Sequence, residues 1–358
     1  PYQLELLSAI HADGRSGIAV RLMLGKHRGM SWQPSEKAFP CQVMSGIGPG
    51  EYRLHASAFK DAVFAPFDLF VLSGHYTSPT FLGCALLLSL RRKPWAVWLE
   101  RPWPEDYRPG WTRSVAARNR AGRAARRAIL RMFLRLTRRV FCIGTAALEA
   151  YEKLGAPQSK LGLLPYCCDT TRFDNVDPQA IEQVRRDLDL NRKVTFLFSG
   201  QLIERKGMDV LLNAFNRLAA ERNDVALVVL GDGGQRTALE DSVSAAIRER
   251  VRFTGHIAYD TVPAYFKAAD VFVFPSRHDG WGVVVNEACA ASLPVITTSA
   301  VGAARDLVVD GYNGFVLERD DTDGFYEKMK HLAENPAQAR VMGERSHELV
   351  QKFSLPAG

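Results

Sequence analysis

"VFVFPSRHDGWGVVVNEACA", residues 271–290, reads as a strand, a turn and a helix. The apolar run from Val271 ends at Ser276, Asp279 to Gly282 make the turn, and a helix begins near Val283. The same strand-to-helix pattern recurs along the chain. In the second half strands are expected at Val194–Ser199, Val225–Leu230, Val251–Thr254, Val271–Phe274, Val295–Thr298 and Phe315–Leu317. In the first half they are expected at Ile18–Leu24, Leu69–Ser73, Ala96–Leu99, Val140–Ile143 and Leu161–Leu164. Strands that alternate with helices throughout specify a parallel α/β architecture. A chain of 358 residues is longer than one core usually organises, so two domains are expected, each a doubly wound sheet. Pro165 and the Asp-rich polar stretch after it put the boundary there, giving domains 1–165 and 166–358.

Hydrophobic content of 47% with 24% charge describes an ordinary folded chain. No stretch reaches the roughly 20 unbroken apolar residues that cross a bilayer. The net charge of +7 favours anionic partners, whether nucleotides, lipid headgroups or nucleic acid. The six cysteines show no C-x-x-C or paired Cys/His spacing, and several sit in apolar segments, so a reducing, cytoplasmic setting is the simpler expectation. The chain opens on the helix-like "PYQLELLSAIHADG" with no strand before it, so a first strand is expected to be missing. The abrupt tail "KFSLPAG" raises the same expectation for the other end.

Open α/β sheets bind ligands at the carboxyl ends of their strands, and three such ends carry chemistry. In "FLFSGQLIERKGMDVLLNAF", residues 196–215, Gly200 closes the strand, and Arg205, Lys206 and Gly207 stand at the entry to a helix. Two cations beside backbone N–H groups suit a phosphate, and the competing reading is a solvated basic turn. In "LVVLGDGGQR", Gly231, Asp232, Gly233 and Gly234 make a glycine-rich turn without the G-x-G-x-x-G spacing of a dinucleotide fingerprint. At the opening stretch, side chains on a helix tilt toward its N-terminus, which turns Glu287 back toward Asp279. Glycines let the N–H groups of Gly280, Trp281 and Gly282 approach a ligand closely. A phosphate fits there. Carboxylates repel it, so Asp279 and Glu287 suit sugar hydroxyls on either side, which points to a nucleotide sugar. The competing reading of Glu287 is an exposed helix residue paired with a Lys.

These residues resemble the retaining glycosyltransferases of the two-domain, Rossmann-like GT-B arrangement, in particular the large family 4. "PSRHDGWGVVVNEA" follows that family's pattern of two acids separated by seven residues, with Asp279 in place of the usual first Glu. The resemblance extends along "SGQLIERKGMDVLLNAF", "LVVLGDGGQRTALE", "VRFTGHI", "YFKAADVFVFPS", "LPVITTSAVGAARDLVVDGYNGFVLE" and "LPYCCDTTRF", and it covers residues 161–345. It implies two doubly wound domains facing a cleft, the acceptor on the first and the donor on the second. The implied reaction moves a hexose from a UDP- or GDP-sugar, with retention, to a glycan or lipid-linked acceptor in cell-envelope polysaccharide or glycolipid synthesis. Carried over by position, Glu287 holds the donor ribose, Asp279 the sugar hydroxyls and Lys206 the pyrophosphate. Backbone groups of Gly280, Trp281, Gly282 and Val283 hold the sugar and phosphate, and His256 with Ile257 line the base pocket. Charge on the leaving diphosphate is the main quantity to stabilise, which is the task of Lys206 and Arg205.

The chain departs from the family in two places. Gly200-Gln201 stands where Gly-Arg is usual, so one phosphate cation is absent and Arg205 is the candidate to replace it. After "PWAVWL", Glu100 and Arg101 occupy the place of a His near the reacting centre. Glu100 is a candidate catalytic residue, against a reading in which it pairs with Arg101 or Arg108. His75 in "VLSGHYTSPT" is a second acceptor-side candidate. The acid pairs Asp187/Asp189 and Asp321/Asp323 do not follow strand ends, so no metal is expected to be required, and no other cofactor is implied. An epimerase, a phosphorylase or a non-catalytic sugar binder of the same fold are the competing functions, and a dehydrogenase lacks its glycine fingerprint.

The stretch 113–139 contains no acid. Arg120, Arg123, Arg127, Arg131, Arg135 and Arg138 form a cationic stripe opposite Ile129, Phe133 and Leu136. Such a helix suits an anionic membrane surface on the cytoplasmic side, and a lipid-linked acceptor with it. The competing reading is a crossover helix with a solvated basic face. Nucleic acid is not expected, because no aromatic residues interleave with the arginines.

Overall fold

The structure, a computed structural model, describes residues 2–14, 16–22, 41–48, 53–74, 76, 78–102 and 120–355. These divide into two compact units between Tyr166 and Cys167.

The N-terminal unit contains α1 (Tyr2–Ala12), β1 (Val20–Leu22), β2 (Cys41–Val43), α2 (Ala56–Phe64), β3 (Phe70–Ser73), α3 (Pro79–Leu90), β4 (Trp95–Leu99), α4 (Arg120–Leu136), β5 (Arg139–Cys142), α5 (Thr145–Lys153) and β6 (Leu161–Leu163). Strands β3 to β6 form a parallel sheet in chain order, while β1 and β2 make a separate parallel pair. A reversal of strand order, expected in both halves, is therefore found among the described residues only in the C-terminal sheet. Every residue of β4 is buried, which is why this central strand reads as an unbroken apolar run. Phe133 of α4 meets Phe81 of α3 and Trp95 of β4 edge to face at 5.9 and 6.2 Å, and burying one such ring contributes about 2 kcal/mol.

Helix α4 corrects the sequence reading of its apolar face. Leu130, Phe133, Leu134 and the following Thr137 are buried, but Leu136 is 52% exposed. The inward face thus follows the i, i+3, i+4, i+7 rows from Leu130 instead of the expected line through Leu136. Arg127, Arg131, Arg135 and Arg138 are exposed. Residues 113–119 and the side chains of Arg120 and Arg123 lie outside the described ones.

The C-terminal unit contains α6 (Thr171–Asp174), α7 (Pro178–Asp187), β7 (Val194–Ser199), α8 (Met208–Glu221), β8 (Val225–Leu230), α9 (Arg236–Asp241), β9 (Val251–Gly255), α10 (Val262–Lys267), β10 (Val271–Phe274), α11 (Val284–Ala290), β11 (Val295–Thr298), α12 (Ala304–Leu307), β12 (Gly314–Leu317), α13 (Thr322–Glu334) and α14 (Pro336–Val350). Its six strands are parallel in the order β12-β11-β10-β7-β8-β9. The chain builds outward from β7 through β8 to β9, returns to the other side of β7 at β10, and continues to β12. Parallel neighbours need a crossover connection, usually a helix, and α8 shows why its sequence serves: Met208, Leu211, Leu212, Phe215, Leu218 and Ala219 recur at helical spacing and are buried. The order reverses between β7 and β10, and a crevice opens outside the carboxyl ends at such a switch point.

Candidate active site

The two strands that flank the switch point carry the residues with the strongest chemistry. Beyond β7 the chain passes Gly200 and Gln201 into a 3₁₀ turn, Glu204–Lys206. Gly207 follows at φ 66°, and a Cβ there would overlap the Pro275 carbonyl. Only glycine fits, so this turn lies directly against the one after β10.

Across that contact Lys206 Nζ donates to Asp279 Oδ2, and Arg205 Nη1 stands 3.5 Å from the same oxygen. Arg205 Nη1 also donates to the His278 carbonyl at 2.7 Å, and Ser276 Oγ donates to the Arg205 carbonyl at 3.2 Å. Three charges are thereby held together, with the Asp279 side chain 13% exposed and Lys206 12%. Burial works to raise the Asp279 carboxyl, but the Lys206 ammonium and the Arg205 guanidinium outweigh it and hold the group below the usual carboxylate range. Two cations against one carboxylate leave a positive surplus within this cluster of three, which suits an anionic ligand.

The glycine turn is shaped from the far side by residues 300–303. Asp279 N–H donates to the Ala300 carbonyl at 3.2 Å, while Gly302 N–H and Ala303 N–H donate to the carbonyls of Asp279 and Trp281 at 3.1 and 2.7 Å. Gly282 has φ 90°, and a Cβ on it would stand 2.8 Å from Val301 Cγ1. With the carbonyls taken up this way, the N–H groups of Gly280, Trp281, Gly282 and Val283 have no hydrogen-bond acceptor among the described residues. Four such donors on one short turn match the oxygens of a phosphate or sugar. Trp281 contributes through its backbone alone: its ring is buried, donates Nε1–H to Asn286 Oδ1 at 2.9 Å and packs on Phe353 at 6.0 Å. Glu287, in the first turn of α11, is 3% exposed, so the reading of it as a surface residue is excluded.

The ends of β8 and β9 extend the site along the sheet. Gly231 N–H donates to the Gly255 carbonyl at 2.8 Å, and Leu202 N–H to the Asp232 carbonyl at 3.0 Å, so the turns after β7, β8 and β9 are joined by backbone. Gly231 and Gly233 lie too close to Gly200 and Leu202 for any Cβ, which makes them sites of close backbone approach. Asp232 Oδ1 accepts from Gly233 N–H at 2.7 Å. His256 is exposed and Ile257 half-buried after β9, two strands from β7, which is about 10 Å at ordinary strand spacing. Gln201 is exposed beside Gly200.

Residues 180–349 match the family model described as Glycosyl transferases group 1. The C-terminal unit is a group 1 glycosyltransferase domain. Among its curated relatives, a 2-deoxystreptamine N-acetyl-D-glucosaminyltransferase of Niallia circulans is 27% identical over 62% of this chain and 57% of its own length. A GDP-mannose-dependent alpha-(1-6)-phosphatidylinositol monomannoside mannosyltransferase of Mycolicibacterium smegmatis is 32% identical over 52% of this chain and 50% of its own. The chain spans about half the length of the curated relatives it matches. Among solved structures, Alr3699/HepE of Anabaena in complex with UDP superimposes with a TM-score of 0.71 at 20% identity, covering 88% of this chain and 83% of that one. Sucrose-phosphate synthase of Thermosynechococcus elongatus gives 0.74 at 20% identity, covering 98% and 88%. At these identities the two structures establish a shared fold of two Rossmann-like units.

Outside the glycosyltransferase domain, Glu100 and Arg101 follow β4 of the N-terminal unit, Glu100 exposed and Arg101 half-buried. The Glu100 carbonyl accepts from the buried Tyr151 hydroxyl at 2.8 Å, which fixes the backbone there. His75 lies outside the described residues, as does Arg108. Of the two acid pairs, Asp321 caps α13 through Gly324 N–H at 2.8 Å and Asp323 pairs with Arg217, while Asp187 accepts from Gln183 and Asp189 from Lys193. Among the described residues no three His, Cys, Asp or Glu side chains gather as a metal site.

Sequence reasoning missed Arg277, Ser276, Gly302 and the packing role of Gly207. The first two stand inside the quoted stretch, but their cross-loop partners lie 43 to 73 positions away, so spacing gives no signal for them. Gly302 in "AVGAA" was readable only as a turn.

Proposed function

We propose that the protein is a retaining, metal-independent glycosyltransferase that moves a hexose from a UDP- or GDP-sugar to a glycan or lipid-linked acceptor. The observation that carries this is the meeting of Lys206, Arg205 and Asp279 with the open N–H groups of Gly280 to Val283 at the switch point. As the bond to the donor sugar lengthens, negative charge builds on the leaving diphosphate. Lys206, Arg205 and the turn N–H groups receive it, and removing one such donor typically costs about 3 kcal/mol of transition-state stabilisation. Lys206 has three N–H donors, so it can keep Asp279 while meeting a phosphate oxygen. Asp279 and Glu287 accept hydrogen bonds from the sugar and ribose hydroxyls, and His256 and Ile257 border the base. Glu100, Arg101 and His75 belong to the acceptor side. The names of the relatives, with GDP-mannose and UDP among their ligands, support the donor class. Thermal melting with UDP-, GDP- and ADP-sugars tests it, since a donor at 100 times its Kd stabilises by about 2.7 kcal/mol. One of the panel raises the melting temperature, and Glu287→Ala abolishes both that rise and sugar transfer. A panel with no effect on the wild type refutes the reading.

We also infer a peripheral position on the cytoplasmic face of an anionic membrane through residues 113–139. Supporting it, α4 exposes Arg127, Arg131 and Arg135 beside the exposed Met132 and Leu136, and Arg138 follows. A cavity of about 230 Å³ next to it is lined by Arg92, Lys93, Arg138 and Leu136 with no carboxylate. No described helix is long and apolar enough to cross a membrane. Flotation with phosphatidylserine vesicles at low salt is expected, and its absence refutes the inference.

A further inference from the structure

Arg277 ties together three of the loops at the carboxyl edge of the C-terminal sheet. Its Nη1 and Nη2 form a bidentate fork on Asp209 of α8 at 2.8 and 2.7 Å, its Nε donates to Asp320 at 2.6 Å, and Nη1 also reaches the Glu204 carbonyl at 2.7 Å. Its backbone N–H donates to the Arg205 carbonyl at 2.8 Å. Glu204 and Arg205 belong to the turn that presents Lys206, and Asp320 lies between β12 and α13 at a left-handed φ of 62°. An exposed ion pair contributes little, but here one guanidinium only 15% exposed uses four of its five N–H groups on acceptors from three separate segments of the chain.

We propose that Arg277 is a positioning residue for the diphosphate subsite: it fixes the turn after β7 against the turn after β10, and so sets where Lys206 meets Asp279 and the donor phosphates. Arg277 makes no hydrogen bond to Lys206 or to Asp279. It acts on the backbone that carries them, two residues before Lys206 and two before Asp279. A shift of about 1 Å in a charged group at a reacting centre is costly, and the bond from Arg277 Nη1 to the Glu204 carbonyl is one of the side-chain ties that hold this turn in place. Lysine cannot replace it, because a single ammonium cannot hold Asp209 and Asp320 in the same geometry.

The proposal rests on the reading of Lys206 as a phosphate ligand, and a binding cycle separates the two. Calorimetric Kd values for UDP and GDP are measured on the full chain for wild type, Arg277→Lys, Lys206→Ala and the double variant, with melting curves for each. Arg277→Ala serves as a second variant if it folds. Arg277→Lys is expected to weaken binding of the preferred diphosphate about fivefold in the wild-type background and less than about twofold once Lys206 is gone, because the effect passes through Lys206. Equal weakening in both backgrounds overturns the proposal and leaves Arg277 a general brace, and so does no weakening in either. A Lys206→Ala Kd equal to wild type, or a wild type that binds neither diphosphate, refutes the reading of the site itself and the positioning role with it.

Discussion

Substituting Gly207 by Ala tests the central geometric statement, that the turns after β7 and β10 are in backbone contact. Two costs add. An L-residue at φ 66° pays about 1–2 kcal/mol for the left-handed conformation. The new Cβ would also stand 3.1 Å from the Pro275 carbonyl carbon and closer still to its oxygen, where neighbouring carbons ordinarily rest at about 3.5–4.0 Å. Both atoms are backbone, so relief requires the turn bearing Lys206 to lift, and overpacking of this kind costs about 1–3 kcal/mol. The sum is about 3 kcal/mol, or a fall of roughly 6–12 °C in the melting temperature of a unit this size. Two controls separate the causes. Gly155, at φ 89° with nothing within 4 Å of its Cβ position, isolates the conformational cost at about 1 kcal/mol. Gly234, with open space and an ordinary φ, is expected to be neutral or slightly stabilised as Ala. Differential scanning calorimetry ranks the three, and UDP or GDP binding should fall only for Gly207→Ala. If Gly207→Ala melts within a degree of Gly155→Ala and binds as well as wild type, the two turns do not touch as described.

Lys206→Met leaves the Asp279 carboxylate with Arg205 alone, which should destabilise the protein by about 3 kcal/mol near neutral pH in urea titrations. Because the Asp279 carboxyl is held below its ordinary value, its contribution is complete above about pH 4 and is lost as pH falls through the folded value. The stability gap between wild type and Asp279→Asn should therefore close under acid; a gap constant from pH 7 to pH 3 contradicts the ion pair. Burial pushes the thiols of Cys142 and Cys289 up to about 12 and that of Cys84 to about 11, so iodoacetamide at pH 8 should leave these three unlabelled until urea is added. Mass-spectrometric detection of native labelling at Cys289 counts against the packing of α11.

The candidate site was legible where its signal is local. Gly200, Arg205, Lys206, Asp279 and Glu287 each follow a strand end, and a strand end is visible as an apolar run that stops at glycine or a turn. Their partners were not legible. Asp279 was expected to face sugar hydroxyls with Lys206 apart on the phosphate, and the structure pairs the two across 73 positions. The apolar face of α4 was misplaced by the exposed Leu136 for a similar reason, since a helix's inward row is chosen by what it packs on.

By itself the sequence determined the parallel α/β class, the strands of the C-terminal unit to within a residue at each end, and the residue types at its strand ends. Periodicity and burial are written locally, because a strand covered on both faces has to be apolar along its whole length. The tertiary structure alone decided that β10 returns to the side of β7. That strand order brings two turns into backbone contact, places Lys206 and Arg205 on Asp279 and lets Arg277 reach the turn after β7, the start of α8 and the segment after β12. Distances between residues 70 positions apart follow from which strands are neighbours, and neighbourhood in a sheet is a property of the whole packed chain.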